Sequence, residues 1–385
     1  MSSLIVDVAK IAKIEPHPNA DRLRIATVKG WKCIIGLSDF NEGDLIVFIP
    51  PESVLPDELI AKYKLDFVKK GGRVRTVKLR GFISQGLCLP VPEGKNWKEG
   101  KNVAEEMGIK KYEPPTRGGR YGFNAGRMVS KKKLNPLFDK YTDIENIKNF
   151  NTVFEEGEMV VITEKIHGTN FRAGRLPVYP KSFWGWVKKY IFRQNYEFCY
   201  GSHNVQKKPF SKNKGYYGED VYGQIAKRYK LADIIPNDYI VYGEIYGKKI
   251  QELEYGMDDI DLVVFDIKYK GKYLNWEDVI KFCEERKLPV VPVLYIGKYS
   301  EEIKDFYTQT KVNFDVEAMQ FFGIQGCYYV SGKSVLAKSK GLDNQISEGC
   351  VIKPLEEVNN ARVGRKILKS INDEYLLTKN RTEYH

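Results

Sequence analysis

The run Met159-Val160-Val161-Ile162-Thr163 is apolar and β-branched, and it does not alternate. It reads as a buried strand. Directly after it stand Glu164-Lys165-Ile166-His167-Gly168-Thr169-Asn170. A strand therefore delivers a lysine at its end, followed by a glycine turn and small polar side chains. This arrangement suits a nucleophile facing a bound phosphate. Lysine is a poor nucleophile at its reference pKa of ~10.4, so desolvation or a neighbouring cation must favour the free amine. The alternative is a strand-capping turn with an incidental lysine, and a motif this short does not separate the two.

Further strings follow downstream: Val241-Tyr242-Gly243-Glu244-Ile245-Tyr246-Gly247, Leu262-Val263-Val264-Phe265-Asp266-Ile267, Ser347-Glu348-Gly349-Cys350-Val351-Ile352-Lys353-Pro354 and Arg365-Lys366-Ile367-Leu368-Lys369-Ser370. Each has a bland reading: Phe265 as a core aromatic, Lys369 as a solvated charge. Taken in order, they resemble motifs III, IIIa, IV and V of the nucleotidyltransferase superfamily. The heptad around Lys165 resembles motif I in the Lys-x-His-Gly-Thr-Asn form of RNA ligases. The resemblance covers residues 136 to 385.

The resemblance implies that Lys165 attacks the ATP α-phosphate and carries AMP. AMP then passes to an RNA 5′-phosphate, and a 3′-OH displaces it. It places Glu164, Ile166 and Asn170 beside the nucleotide, Glu244 on ribose, Phe265 on adenine and Glu348 near Mg²⁺ or Mn²⁺. Lys353 or Lys369 is expected on phosphate. His167 is expected to orient the pyrophosphate or its metal, and Asp266 is either structural or near the metal. Two departures stand out. The second lysine often found in motif V is Ile371 here if Lys369 is the first, and Lys366 does not restore the spacing. His167 replaces the aspartate of the wider superfamily, which argues against a typical DNA ligase.

Between motifs I and III, the polar segment Cys199-Tyr200-Gly201-Ser202-His203-Asn204 resembles one that contacts nucleotide or the RNA 5′-phosphate, which puts Ser202 and His203 forward. Residues 178–194 interleave aromatics with Lys and Arg. They read either as an amphipathic helix or as a surface that stacks bases while neutralising phosphates.

The net charge of +12 and pI near 9.1 favour a polyanionic partner, nucleic acid before membrane. The six cysteines are scattered without a CxxC pair, so no zinc site or disulfide framework is expected. Reduced thiols, no visible secretory signal and no apolar run of membrane-spanning length make a cytoplasmic setting the expectation.

The N-terminal third differs. Short strand-like segments, Leu4 to Ile14, Leu23 to Val28, Trp31 to Ile35, Leu45 to Ile49, Val74 to Leu79 and Gly86 to Leu89, are separated by turn-rich strings such as Pro16-His17-Pro18-Asn19-Ala20-Asp21. They read as a small β-barrel. The string from His17 to Ile25 is similar to the opening of tRNA-binding OB-fold domains, and Lys78 to Leu87 is similar to the N-terminal OB domain of one RNA-ligase group. Arg73, Arg75, Lys78 and Arg80 read as one basic face, either an RNA contact or an ordinary solvated strand. His17 and Asp21 read as turn residues.

The expected architecture is α+β. An OB-like nucleic-acid-binding β-barrel occupies residues 1–112, a basic linker 113–135, and an adenylyltransferase domain of ATP-grasp-like antiparallel sheets with helices 136–385. Helices are expected over Leu137 to Asn149, Trp276 to Cys283 with Asn275 as N-cap, Tyr299 to Tyr307 and Asn313 to Phe322. The short stretch after Lys369 leaves no room for the C-terminal OB domain of DNA ligases and capping enzymes. The reading is an ATP-dependent ligase joining RNA 3′-OH and 5′-phosphate ends, often in nicked duplexes. The alternatives are a GTP-dependent capping-type enzyme or DNA ligase, and an RNA-binding protein on a lapsed ligase scaffold, which Ile371 keeps open.

Overall fold

The computed structural model describes residues 3–65, 67–68, 71–113, 135–179, 187, 190–191, 195–207, 217–300, 303 and 332–378. The expected linker, the aromatic segment 178–194 and the helices expected over 299–307 and 313–322 lie wholly or largely outside them.

The N-terminal region is a five-stranded antiparallel sheet in the order Trp31–Gly36, Leu23–Val28, Asp7–Pro16, Leu45–Ile49, Leu87–Pro90. Alternation decides its inside. Trp31, Cys33 and Ile35 are buried while their neighbours on the same strand are not. An irregularity between Ile11 and Lys13 lets the long first strand pair with Leu45–Ile49 at one end and Leu23–Val28 at the other. Such a bend is how a short sheet curls into a barrel. A hairpin, Thr76–Leu79 with Phe82–Gln85, lies against the Trp31 strand, where Ser84 Oγ accepts from Ile34 N at 3.0 Å.

The second region holds two larger sheets. One runs Glu145–Asn146, Leu368–Ile371, Gly349–Pro354, Met159–Lys165, Val293–Lys298; the other runs Gln206–Lys207, Tyr196–Ser202, Thr169–Pro177, Tyr239–Gly247, Ile260–Tyr269, Lys272–Tyr273. Every pair is antiparallel except Glu145–Asn146 against Leu368-Lys369. A shared apolar core joins Val161 of the first sheet to Phe171, Ile245 and Leu262 of the second, with Trp276, Val279 and Phe282 of the helix Trp276–Arg286. The three residues between Lys165 and Thr169 carry the chain from one sheet to the other.

Two helix expectations need correction. Leu137 to Asn149 does not form a helix: Glu145–Asn146 pairs as a strand, and only Ile147–Asn149 makes a 3₁₀ turn, with Asn146 Oδ1 accepting from Lys148 N. Ladder bonds claim the backbone groups that a longer helix would use. The helix at Trp276 forms with Asn275 at its N-cap, but that side chain accepts from Glu357 N instead of capping.

The barrel docks on the second region through polar contacts. Trp31 Nε1 donates to Asn149 Oδ1 at 3.0 Å. Gln85 Nε2 donates to Asp373 Oδ1 at 2.7 Å, and Lys148 Nζ donates to both Gln85 Oε1 and Asp373 Oδ1 at 3.0 Å. Among the described residues, none of Cys33, Cys88, Cys199, Cys283 and Cys350 is in a disulfide, and no helix is long and apolar enough to cross a membrane.

Candidate active site

Lys165 is the last residue of its strand, and its Nζ donates to Glu348 Oε1 at 2.5 Å. Register makes this contact: Lys165 pairs with Gly349, the first residue of the adjoining strand, so Glu348 just before it enters beside the lysine. Glu348 is buried, and its other oxygen, Oε2, lies 3.6 Å from His167 Nδ1 and accepts no hydrogen bond. Burial alone would raise this carboxyl, but the charge of Lys165 and the His167 contact overcome it and hold Glu348 at about 2.

Asn170 and Glu244 lie opposite each other on neighbouring strands of the second sheet. Burial pushes Glu244 up to about 8, with Lys165 pulling it down and Glu348 adding to the rise. Both carboxylates therefore sense the same lysine across the gap between the sheets. Asn170 Oδ1 is buried without a hydrogen-bond partner. The turn brings these groups together only because it contains Gly168. A Cβ there would sit 2.2 Å from Ile245 O and 2.9 Å from Glu244 Cγ. Gly349 is similarly required: its φ is +149°, and a Cβ would meet Ser370 O at 2.1 Å.

Phe265 is the unpaired residue of a bulge, because Tyr242 pairs with Asp266 while Gly243 pairs with Val264. A bulge re-aims a side chain. The half-buried ring packs edge-on to Tyr141 at 4.8 Å and contacts the cluster containing Val351. Val351 lies across from Lys369 on one side and Thr163 on the other, so Lys369 shares the face of the sheet that carries Lys165.

Several expected residues are engaged elsewhere. Glu164 points to the opposite face, where its carboxylate accepts from Leu336 N at 2.9 Å; burial pushes it up to about 7. The Ile166 side chain is core. Asp266 is fully buried: Lys353 Nζ lies 3.0 Å from Oδ1, while Arg365 at 2.7 Å and the Tyr141 hydroxyl at 2.8 Å take Oδ2. Burial opposes its charge, and the two cations more than compensate, so the carboxyl lies below its ordinary range. Asp266 and Lys353 are thus each other's partners in this structure, as a buried carboxylate and a buried cation require. Lys366 is tied to Glu158 at 2.7 Å.

A sequence model of the RNA ligase family matches residues 158–371, more than half of the chain. The chain belongs to the RNA ligase family. A second model, an OB-fold domain, matches residues 5–91 of this ligase-family chain. No curated protein matches it. Among solved structures, a mutant of Naegleria gruberi RNA ligase with ATP and Mn is 22% identical, with a TM-score of 0.68, covering 97% of this chain and 98% of that one. The same protein with PPi, and a mutant with AMP and Mn, give 22% identity and a TM-score of 0.67 over the same shares. These likenesses establish the shared fold, α+β with an N-terminal OB barrel.

On the RNA side, the ligase places its expected residues unevenly. The strand begins at Thr76, so Arg73 and Arg75 precede it and the four cations do not form one face. Arg73 is bound to Glu52 at 2.6 Å and its guanidinium covers the Tyr112 ring at 3.6 Å. Arg75, Lys78 and Arg80 are exposed, next to exposed Val77, Leu79 and Phe82. His17 is buried in its turn, where Nδ1 accepts from Asn19 N at 3.1 Å. Ser202 pairs with Phe171, next to Asn170, and His203 lies 4.0 Å from Asp143; burial lowers His203 despite that carboxylate.

Among the described residues no group of three or more metal-ligating side chains is preassembled. The ionised Glu348, whose Oε2 is buried without a hydrogen bond, nevertheless fits a hard divalent cation that completes its shell with phosphate and water oxygens. Sequence reading missed Tyr255, whose hydroxyl accepts from His167 N at 2.7 Å, and Tyr375, whose hydroxyl lies 2.9 Å from His167 Nδ1. Asn372 followed by Asp373 and Glu374 is a helix-start signal that would have located the segment carrying Tyr375.

Proposed function

We propose that this chain is an ATP-dependent RNA ligase that works through a lysyl-AMP intermediate on Lys165. The observation that carries this reading is the lysine held at a strand end, 2.5 Å from Glu348 and in the field of Glu244. Family membership supports it, as do the structures of the Naegleria gruberi ligase with ATP, AMP, PPi and Mn.

In the first step Lys165 Nζ, as the free amine, forms a bond to the ATP α-phosphorus while the bond to pyrophosphate breaks. Glu348 stays a carboxylate and aims Nζ until nucleotide arrives. Glu244, largely protonated near neutrality, presents both donor and acceptor to ribose hydroxyls from its place opposite Asn170. Phe265 offers its ring to adenine, and Lys369 offers charge to phosphate. A divalent metal held by Glu348, Mg²⁺ or Mn²⁺, would neutralise phosphate charge. AMP then moves to an RNA 5′-phosphate, and the 3′-OH displaces it to join the ends, in a nicked duplex by preference. Exposed Arg75, Lys78 and Arg80 on the barrel hairpin, with Ser202 and His203, are the RNA contacts in this reading. Residues 1–112 then bind RNA and 136–385 perform the chemistry. Scattered cysteines, none of the described ones in a disulfide, support a reducing cytoplasmic setting.

The test is incubation with α-labelled ATP and Mg²⁺ or Mn²⁺, followed by denaturation and detection of protein-bound label. Label on the wild type that is lost in Lys165→Ala is the expected result. Label from GTP alone would move the chain to the capping class, and no label from folded protein would favour a binding module. Sealing of a nicked RNA duplex then tests the substrate.

A further inference from the structure

The histidine of the Lys165 heptad is held from a segment that no motif includes. Tyr375 is fully buried in the helix Asp373–Leu377, and its hydroxyl lies 2.9 Å from His167 Nδ1. That same nitrogen lies 3.6 Å from Glu348 Oε2, and the opposite oxygen of Glu348 holds Lys165. One imidazole nitrogen thus faces both a tyrosine hydroxyl and the carboxylate that orients the nucleophile.

The segment is anchored on both sides. Asn372 N donates to Glu348 O at 2.9 Å, and its side-chain amide donates to Ser347 O and Gly332 O at 3.2 Å. Asn372 Oδ1 accepts from Glu374 N, which caps the helix. From the barrel, Gln85 grips Asp373 at 2.7 Å, with Lys148 bridging them. The backbone that fixes Glu348 and the side chain that reaches His167 therefore belong to one pinned turn, and a pinned hydroxyl restricts the ring it bonds.

We infer that Tyr375 is a positioning residue for the adenylyl-transfer step, setting the orientation of His167 beside Glu348. This rests on the ligase reading given above. Without the hydroxyl, His167 Nδ1 has only the Glu348 carboxylate among the two, and the ring turns toward it. Glu348 then shares itself between His167 and Lys165, and the lysine is less well aimed.

The experiment is single-turnover lysyl-AMP formation by the full chain, comparing wild type, Tyr375→Phe, His167→Ala and the double variant. The limiting rate and the half-saturating ATP concentration are read separately, with thermal unfolding beside them. Tyr375→Phe is expected to lower the limiting rate about tenfold, the scale of one hydrogen bond. It should leave ATP saturation and the unfolding midpoint in place, and have no further effect when His167 is already alanine. An equal fold-loss in both backgrounds, a loss that follows ATP saturation or unfolding, or no loss at all would overturn the inference. Independently of activity, the imidazole ¹⁵N resonances of His167 should move in Tyr375→Phe; unmoved resonances also overturn it. Absence of label in the wild type counts against the ligase reading itself, and the resonance measurement still judges Tyr375.

Discussion

Lys165 Nζ and Glu348 Oε1 lie 2.5 Å apart although 183 residues separate them in the chain. The contact depends on one register: Lys165 across from Gly349, where a Cβ would strike the Ser370 carbonyl of the next strand. Ile371 completes that row on the far side of Gly349 and is buried. The position where the family often carries a second lysine is thus apolar core in this chain.

Glu348→Gln should lower the rate of lysyl-AMP formation on the order of 10²-fold, by removing the charge that aims Lys165. Quantifying covalent label over time checks this. An unchanged rate would mean that the pair is a resting-state contact only.

Glu164 gives the protein a pH-dependent stability. Burial raises its carboxyl from 4.5 to about 7. The folded state therefore keeps a proton that the unfolded chain releases, and this contribution, complete below 4.5, is lost as pH rises through about 7. Glu164→Gln keeps an acceptor for Leu336 N and removes the titration. Between about pH 5 and pH 8 the wild type should lose stability relative to the variant, by on the order of 3 kcal/mol. Denaturant unfolding at several pH values measures it, and parallel curves for the two proteins would exclude Glu164 as the source.

Asp266→Asn leaves Lys353 and Arg365 buried against a neutral amide. Losing one partner of such a cluster costs about 3–5 kcal/mol. The unfolding midpoint should fall, while the metal concentration giving half-maximal labelling should stay where it is in the wild type. A shift in that concentration without loss of stability would place Asp266 at the metal site.

On the barrel, Arg75, Lys78 and Arg80 should act together and Arg73 should not. Replacing the three exposed cations with alanine is expected to weaken RNA binding and flatten its dependence on salt, by about one unit of slope for each phosphate contact removed. Arg73→Ala is expected to lower stability, through Glu52 and Tyr112, with the salt slope retained. Binding isotherms across a salt series distinguish the two outcomes.

Much of the site was legible in the chain because local pattern and side-chain chemistry coincide there. The uncharged run before Lys165 could only be a buried strand, and Gly168 marked a crowded turn. Glu244, Asn170 and Glu348 were each named from short strings; Glu348 touches Lys165, and Asn170 lies across from Glu244. What the short strings did not show is where burial assigns partners: Asp266, Lys353 and Arg73 are charged and looked available, yet each is held in an ion pair. Strand pairing likewise replaced the helix expected before Asn149.

By itself, the sequence determined the strands, the barrel ahead of the catalytic sheets, and the residue types that can handle a nucleotide. Those properties follow from periodicity, turn chemistry and the reactivity of single side chains. Only the tertiary structure decided which charges remain free to act, that Glu164 turns away from the nucleophile, and that Tyr375 reaches His167. A charge that enters a low-dielectric interior must take a partner. Register and packing across distant segments supply that partner, and no local pattern encodes them.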